Sequence, residues 1–160
     1  MVQLGVKQLK RRLMMATLAI ENLWGELPEI ESARTPYNIL LEQAVLLREI
    51  TKTELIGEVE RSAKRHDDND LDFVLDLLIF APSLKYSYNV LSVFHGMTMY
   101  PLKIASSTGK SYQCQNEAEF IKALKEILSD KAIKKIISSL LTQIQADKKP
   151  LPLNYTSSVL

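Results

Sequence analysis

The chain contains a single cysteine, Cys114. That excludes an intramolecular disulfide and any zinc site built on cysteine pairs. It fits a reducing compartment, and a cytoplasmic location is expected. Glycine and proline are also scarce, five and six in 160 residues, which argues against a loop-rich β sandwich. Net charge is nearly absent, at +1, so bulk charge points to neither a nucleic-acid nor a membrane partner. No unbroken apolar run approaches the roughly 20 residues of a membrane-crossing helix. The longest apolar stretch is interrupted by Asp72 and Asp76. Only two histidines occur, His66 and His95, and neither stands in an HExxH or ExxH pair, so no metal and no cofactor is expected. No internal repeat is evident.

What the chain does have is apolar periodicity. It is organised around Leu71–Phe94, LDFVLDLLIFAPSLKYSYNVLSVF. Leu71, Val74, Leu75, Leu78 and Ile79 fit helical spacing, with Phe73, Leu77 and Phe80 filling the opposite face. Asp72 and Asp76, four apart, mark the polar edge. Asn69 or Asp70 can cap such a helix, and Pro82 ends it. Ser83 opens a second helix, with Gly96 as its stop. The spacing therefore predicts two short buried helices meeting at a corner.

On either side, more helices are expected. Residues 3–24 carry the stripe Leu9, Leu13, Ala16, Ile20 and Leu23, and within it LMMATLAI has no charged face. The basic start and short apolar run resemble a secretory leader in outline, but Glu21 comes next without a small-residue cleavage site, so no leader is expected. Gly25, Pro28 and the acidic ELPEIE run mark a loop. Thr35-Pro36 is a helix start, cap then proline at the first helical position. That helix carries Tyr37, Leu40, Leu41, Ala44, Leu47 and Ile50. At Thr51-Lys52-Thr53-Glu54 a capping-box pattern suggests a break, with a further helix over 52–65; the alternative is one long helix through Arg65 with the two threonines exposed.

After Gly96 the texture turns β-like. MTMYPLKIA and SYQCQ flank the turn-like SSTGK and predict a hairpin near residues 98–115. Asn116 to Glu119 can cap a helix bearing Phe120, Leu124 and Ile127. Ser129-Asp130 restarts the chain into a last amphipathic helix with Ile133, Ile136, Ile137, Leu140, Leu141 and Ile144. The tail, DKKPLPLNYTSSVL, has no period and reads as extended or disordered. The expected fold is thus mainly α: a single-domain multi-helix bundle over 1–146 with one short hairpin, then a tail over 147–160.

Candidate chemistry is thin. HDDND at 66–70 lacks the glycine and distal glutamate of a calcium loop, and it reads as helix punctuation. Asp72 and Asp76 lack a third ligand. SSTGKS ends like a phosphate loop, but Ile104 stands where the first glycine belongs and a strand comes after it. Cys114 and His95 are the one cysteine–histidine pair near the hairpin, and a buried cysteine is more often a small hydrophobe. Catalytic residues are therefore expected to be absent. Charge is uneven: residues 1–20 carry four bases and no acids, and residues 21–60 carry nine acids against three bases.

These features suit two kinds of partner. A non-enzymatic interaction or regulatory subunit is expected first. It would act through protein contacts or self-association, with Leu13, Met14, Met15 and Leu18 as partner surface. The alternative is an accessory subunit holding RNA or DNA by its phosphate backbone through Lys7, Lys10, Arg11, Arg12, Arg61, Lys64, Arg65, Lys131, Lys134 and Lys135. In size and texture that would be similar to the small helical subunits of CRISPR effector complexes, although no motif carries the likeness. A small enzyme with a site assembled from His95, Cys114 and acids is a third possibility.

Overall fold

In the computed structural model, which describes residues 20–30, 33–65 and 71–152, the first helix starts where its cap demands. Thr35 accepts a hydrogen bond from the Asn38 N–H, Pro36 takes the first turn, and α1 runs Pro36–Ile50. The break expected at Thr51 is real, but it leads into a strand and not a helix. Lys52 and Thr53 both take positive φ, 51° and 66°, and the chain reverses. It then enters a five-stranded antiparallel meander: β1 (Ile56–Arg65), β2 (Leu71–Ala81), β3 (Tyr86–His95), β4 (Leu102–Ser106) and β5 (Ser111–Cys114). Two helices complete it, α2 (Glu117–Leu128) and α3 (Lys131–Asp147).

The expectation of a mainly helical bundle with one short hairpin is therefore overturned. The segments 52–65, 71–80 and 83–94, read as helices, are β1, β2 and β3, with only a short 3-10 turn at Pro82–Leu84. The expected hairpin is there, as the last two strands of a larger sheet. The helix expected over 3–24 falls largely outside the described residues, and residues 20–24 are not helical.

The register explains the layers. Leu75, Leu77, Ile79 and Ala81 of β2 share one face with Leu91 and Val93 of β3, Leu102 and Ile104 of β4, and Cys114 of β5. All of these are buried, and they form one core with Ile39, Leu40 and Ala44 of α1, Phe120, Leu124 and Ile127 of α2, and Ile133, Leu140 and Ile144 of α3. A bulge at Leu77/Leu78 lets both Val90 and Leu91 bury. The other face is mixed. It carries Glu58, Glu60, Ser62 and Lys64 on β1, Asp72, Val74 and Asp76 on β2, and Ser92 and Phe94 on β3. Among these Val74 is buried, and it lies outside the main core.

The chain divides into two units, Met1–Ala33 and Arg34–Leu160. In the first, the described residues form a turn in which the Asn22 amide donates to the Gly25 carbonyl and accepts from the Trp24 N–H. No described helix is long and apolar enough to cross a membrane.

Candidate interaction surface

α1 and α3 lie beside one another on the sheet, and their sequences leave the space between them apolar. Ile39, Leu40 and Ala44 point α1 at the core, so helical spacing turns Leu46 and Ile50 to its flank. Val45, Leu46 and Ile50 are exposed, Ile50 at 77%. On α3, Ile133, Leu140 and Ile144 are buried, and Ile137 and Leu141 are half-buried. The result is a groove of about 370 Å³ with Leu46, Leu47 and Ile50 on one wall and Ile133, Ile137 and Leu141 on the other. Leu77, Ile79 and Val90 form its floor. It continues along α3 as a shallower depression past Ala146 to Lys149. Lys134 lines both parts, and among the described residues no carboxylate lines either.

The walls are fixed. At the start of α3, Asp130 accepts from the Ala132 N–H at 2.8 Å and from Lys110 Nζ at 3.1 Å. Those two interactions hold its carboxyl below the usual range, the backbone N–H contributing most. At the far end Lys148 pairs with Glu54. Where α1 ends, Thr51 Oγ1 donates to the Leu47 carbonyl at 2.8 Å and accepts from the Leu55 N–H at 3.1 Å. Arg34 ties α1 to α2 by pairing with Glu42 and Glu117. Its hydrogen bond draws the Glu42 carboxyl down.

A smaller cleft of about 170 Å³ lies at the other end of α1, lined by Tyr37, Arg61, Phe73, His95 and Met99. The Arg61 guanidinium sits 3.9 Å from the centre of the Tyr37 ring. His95 stacks on Phe73 at 5.2 Å, and its Nδ1 lies 2.7 Å from the Gly96 carbonyl oxygen. His95 does not meet Cys114. Both pair with Leu102, which separates them by two strand spacings, roughly 10 Å. Cys114 is buried at 1% exposure, and burial first, then the Glu119 carboxylate, pushes its thiol up.

The residues expected to bind nucleic acid separate into groups. Lys7, Lys10, Arg11 and Arg12 lie outside the described residues, as do the expected partner surface Leu13, Met14, Met15 and Leu18. Arg61, Lys64 and Arg65 lie on β1, at one sheet edge. Lys131, Lys134 and Lys135 open α3, whose start is tied by Lys110 to the β4–β5 turn. The structure places these two clusters at different sites: Lys134 lines the groove beside α1, whereas Arg61 lines the cleft at the other end of α1. Asp72 and Asp76 share the open sheet face, where Asp72 lies opposite Lys64 and Asp76 accepts from the Ser92 hydroxyl. Among the described residues no group of three His, Cys, Asp or Glu could hold a metal. The SSTGK segment is the β4–β5 turn, with Gly109 at φ 88°.

Sequence reasoning missed the groove. Its α3 wall was visible as an amphipathic stripe, but its floor comes from β2 and β3, which helical spacing had claimed. Compared with known proteins, the chain matches no family model, and no curated protein and no solved structure is significantly similar to it.

Proposed function

We propose that this protein is a non-enzymatic interaction subunit whose α1–α3 groove takes an amphipathic helix of a protein partner. One observation carries the reading: an open groove of about 370 Å³, apolar on both walls and floor, with Leu46 and Ile50 exposed at its lip. An apolar helix face laid into such a groove is a recurring mode of recognition. Charge specifies the partner further. Lys134 and Lys149 edge the groove and its extension, with no carboxylate among the described lining residues, so the docked helix carries acidic residues on its flank. The titratable groups elsewhere support a binding role, since His95 is stacked and hydrogen bonded and Cys114 is buried. We place the protein in the cytoplasm, where a lone unpaired thiol persists.

The test is fluorescence anisotropy with two labelled helical peptides of roughly five turns, identical in their leucine stripe and flanked by Glu or by Lys. The Glu-flanked peptide is expected to bind about tenfold or more tightly, with the preference shrinking as salt rises. Ile137→Glu, which places a charge on the groove wall, abolishes that binding. Equal failure of both peptides at about 100 μM, a concentration that detects weak complexes, refutes the reading.

A further inference from the structure

β1 is an edge strand: it pairs with β2 and with no other described strand. It is ten residues long, and Glu60–Arg65 are all exposed. The opposite edge, β5, is only four residues and leads straight into α2, which packs against it. A long, open edge offers a row of unpaired N–H and C=O groups to another strand. Edge charges ordinarily guard against that pairing by repulsion, but here the signs are segregated along the strand. Glu58 and Glu60 stand in its first half, Arg61, Lys64 and Arg65 in its second.

We propose that two copies of this chain pair antiparallel through β1, about a two-fold axis at Ser62, to give a continuous ten-stranded sheet. A two-fold axis normal to the sheet places some residue opposite itself, so the alternatives can be compared. Centring on Glu60, Arg61 or Lys64 sets a charge against its own copy. Centring on Val59 sets Glu58 against Glu60, and centring on Ala63 sets Arg61 against Arg65. Like charges directly opposite destabilise a strand pair. Only the Ser62 axis, among these, avoids such opposition. It places Glu60 opposite Lys64 of the second copy, twice, on the open face, and Arg61 opposite Ala63 on the helix face.

A second observation points the same way. Within one chain Glu60 lies directly opposite Asp76, and Glu60 has no cation beside it among the described residues. Lys64 of a second copy supplies the missing cation on the free side of Glu60. The helix layer agrees: Tyr37 stacks on Arg61 and Ala44 packs on Gly57, so the α1 flank between them, with half-buried Leu41, faces the same edge. Leu46 and Ile50 lie on the other flank, so this surface is separate from the groove.

The experiment is sedimentation velocity on the full chain from about 1 to 500 μM, a range chosen because edge pairing of this length buries less than an obligate interface. A concentration-dependent dimer is expected. Glu60→Lys and Lys64→Glu each weaken it about tenfold or more, and the double exchange E60K/K64E restores it, which a folding defect would not. The register is read by cross-linking with oxidised glutathione. Directly opposite residues have Cα atoms about 4.5–5.5 Å apart, inside disulfide range. Ser62→Cys is expected to link rapidly to its own copy, whereas Glu58→Cys, roughly 27 Å from its own copy in this register, does not. A monomer across the whole range overturns the proposal, and so does cross-linking of S62C no faster than of E58C. A dimer dispersed by Leu46→Glu but indifferent to E60K also overturns it, and assigns self-association to the groove.

Discussion

Replacing Gly57 by alanine tests the packing of α1 on the sheet. Gly57 is the second residue of β1, and a Cβ built there would lie 2.4 Å from Ala44 Cα, 2.7 Å from its Cβ and 2.8 Å from its carbonyl oxygen. Two of the three obstructing atoms are backbone, so no side-chain rotation relieves them. Ordinary carbon contacts lie near 3.5–4.0 Å, so the helix must rise by about 1 Å. That loosens Ile39, Leu40 and Ala44, which are 2%, 0% and 4% exposed. Overpacking of this kind costs about 1–3 kcal/mol, and a backbone obstruction belongs at the upper end. Against it stands the conformational entropy that alanine removes from the unfolded chain, about 0.5–1 kcal/mol. The net expectation for Gly57→Ala is a loss of about 2 kcal/mol, or a fall in Tm of roughly 8 °C for a domain of this size. The assay is urea unfolding monitored by far-UV circular dichroism, with an unchanged m-value confirming that only stability moved. Gly96→Ala is the internal control: it meets no atom within 4 Å and is expected to change stability by less than about 0.5 kcal/mol. Equal stability of the two variants would refute the claim that α1 rests on the β1 backbone at Gly57.

Single contacts give further expected outcomes. Thr51→Val keeps the shape but leaves the buried Leu55 N–H without its acceptor, so a loss of about 1–3 kcal/mol is expected in the same unfolding assay, with Thr51→Ser close to wild type. Asp130 has a folded-state carboxyl below its ordinary value, held there by the Ala132 N–H and then Lys110, so its contribution is present above about pH 4 and is lost as pH falls through the folded value. Asp130→Asn keeps an acceptor for the cap and is expected to show a smaller acid-induced drop in Tm than wild type; an identical drop would contradict the assignment. Cys114, buried and with its thiol pushed up, is expected to react with an aromatic disulfide reagent only as the fold opens, its rate tracking added urea rather than reagent access. Rapid stoichiometric labelling of the native protein would show the thiol to be accessible.

The three helices were legible because their ends carry chemistry. Thr35-Pro36, Asn116 and Asp130 each cap as their sequences suggest, and Glu119 reaches back to the Gln115 N–H. The three long strands were not legible, for a specific reason. Asp72 and Asp76 are four apart, and four is both a helical turn and an even number. The same spacing that puts them on one helix edge puts them on one strand face. Leucines at 71, 75, 77 and 78 favoured the helix reading, while Phe73, Val74, Ile79 and Phe80 carried the β signal that prevailed. β1 offered still less, because its inner face carries Gly57, Val59, Arg61, Ala63 and Arg65, so Val59 is the one large apolar side chain there and no apolar alternation shows. The groove shared that fate, since its floor is made from the misread strands. Of its lip residues on α1, Leu46 and Ile50, only Ile50 stood in the apolar stripe read from the sequence.

The meander has a kinetic consequence. Each strand pairs only with its neighbour in sequence, so the whole sheet assembles from hairpins without a long crossover. Loop-closure cost therefore stays low for nearly every pairing, and the sheet is expected to form faster than sandwiches of similar strand content. The slow, committing step is then the long-range closure, in which α2 and α3 return from the β5 side to meet the α1 end of the unit through Arg34–Glu117 and Lys148–Glu54. Substitutions in the hairpins should chiefly change the folding rate, and those where α3 closes should chiefly change the unfolding rate.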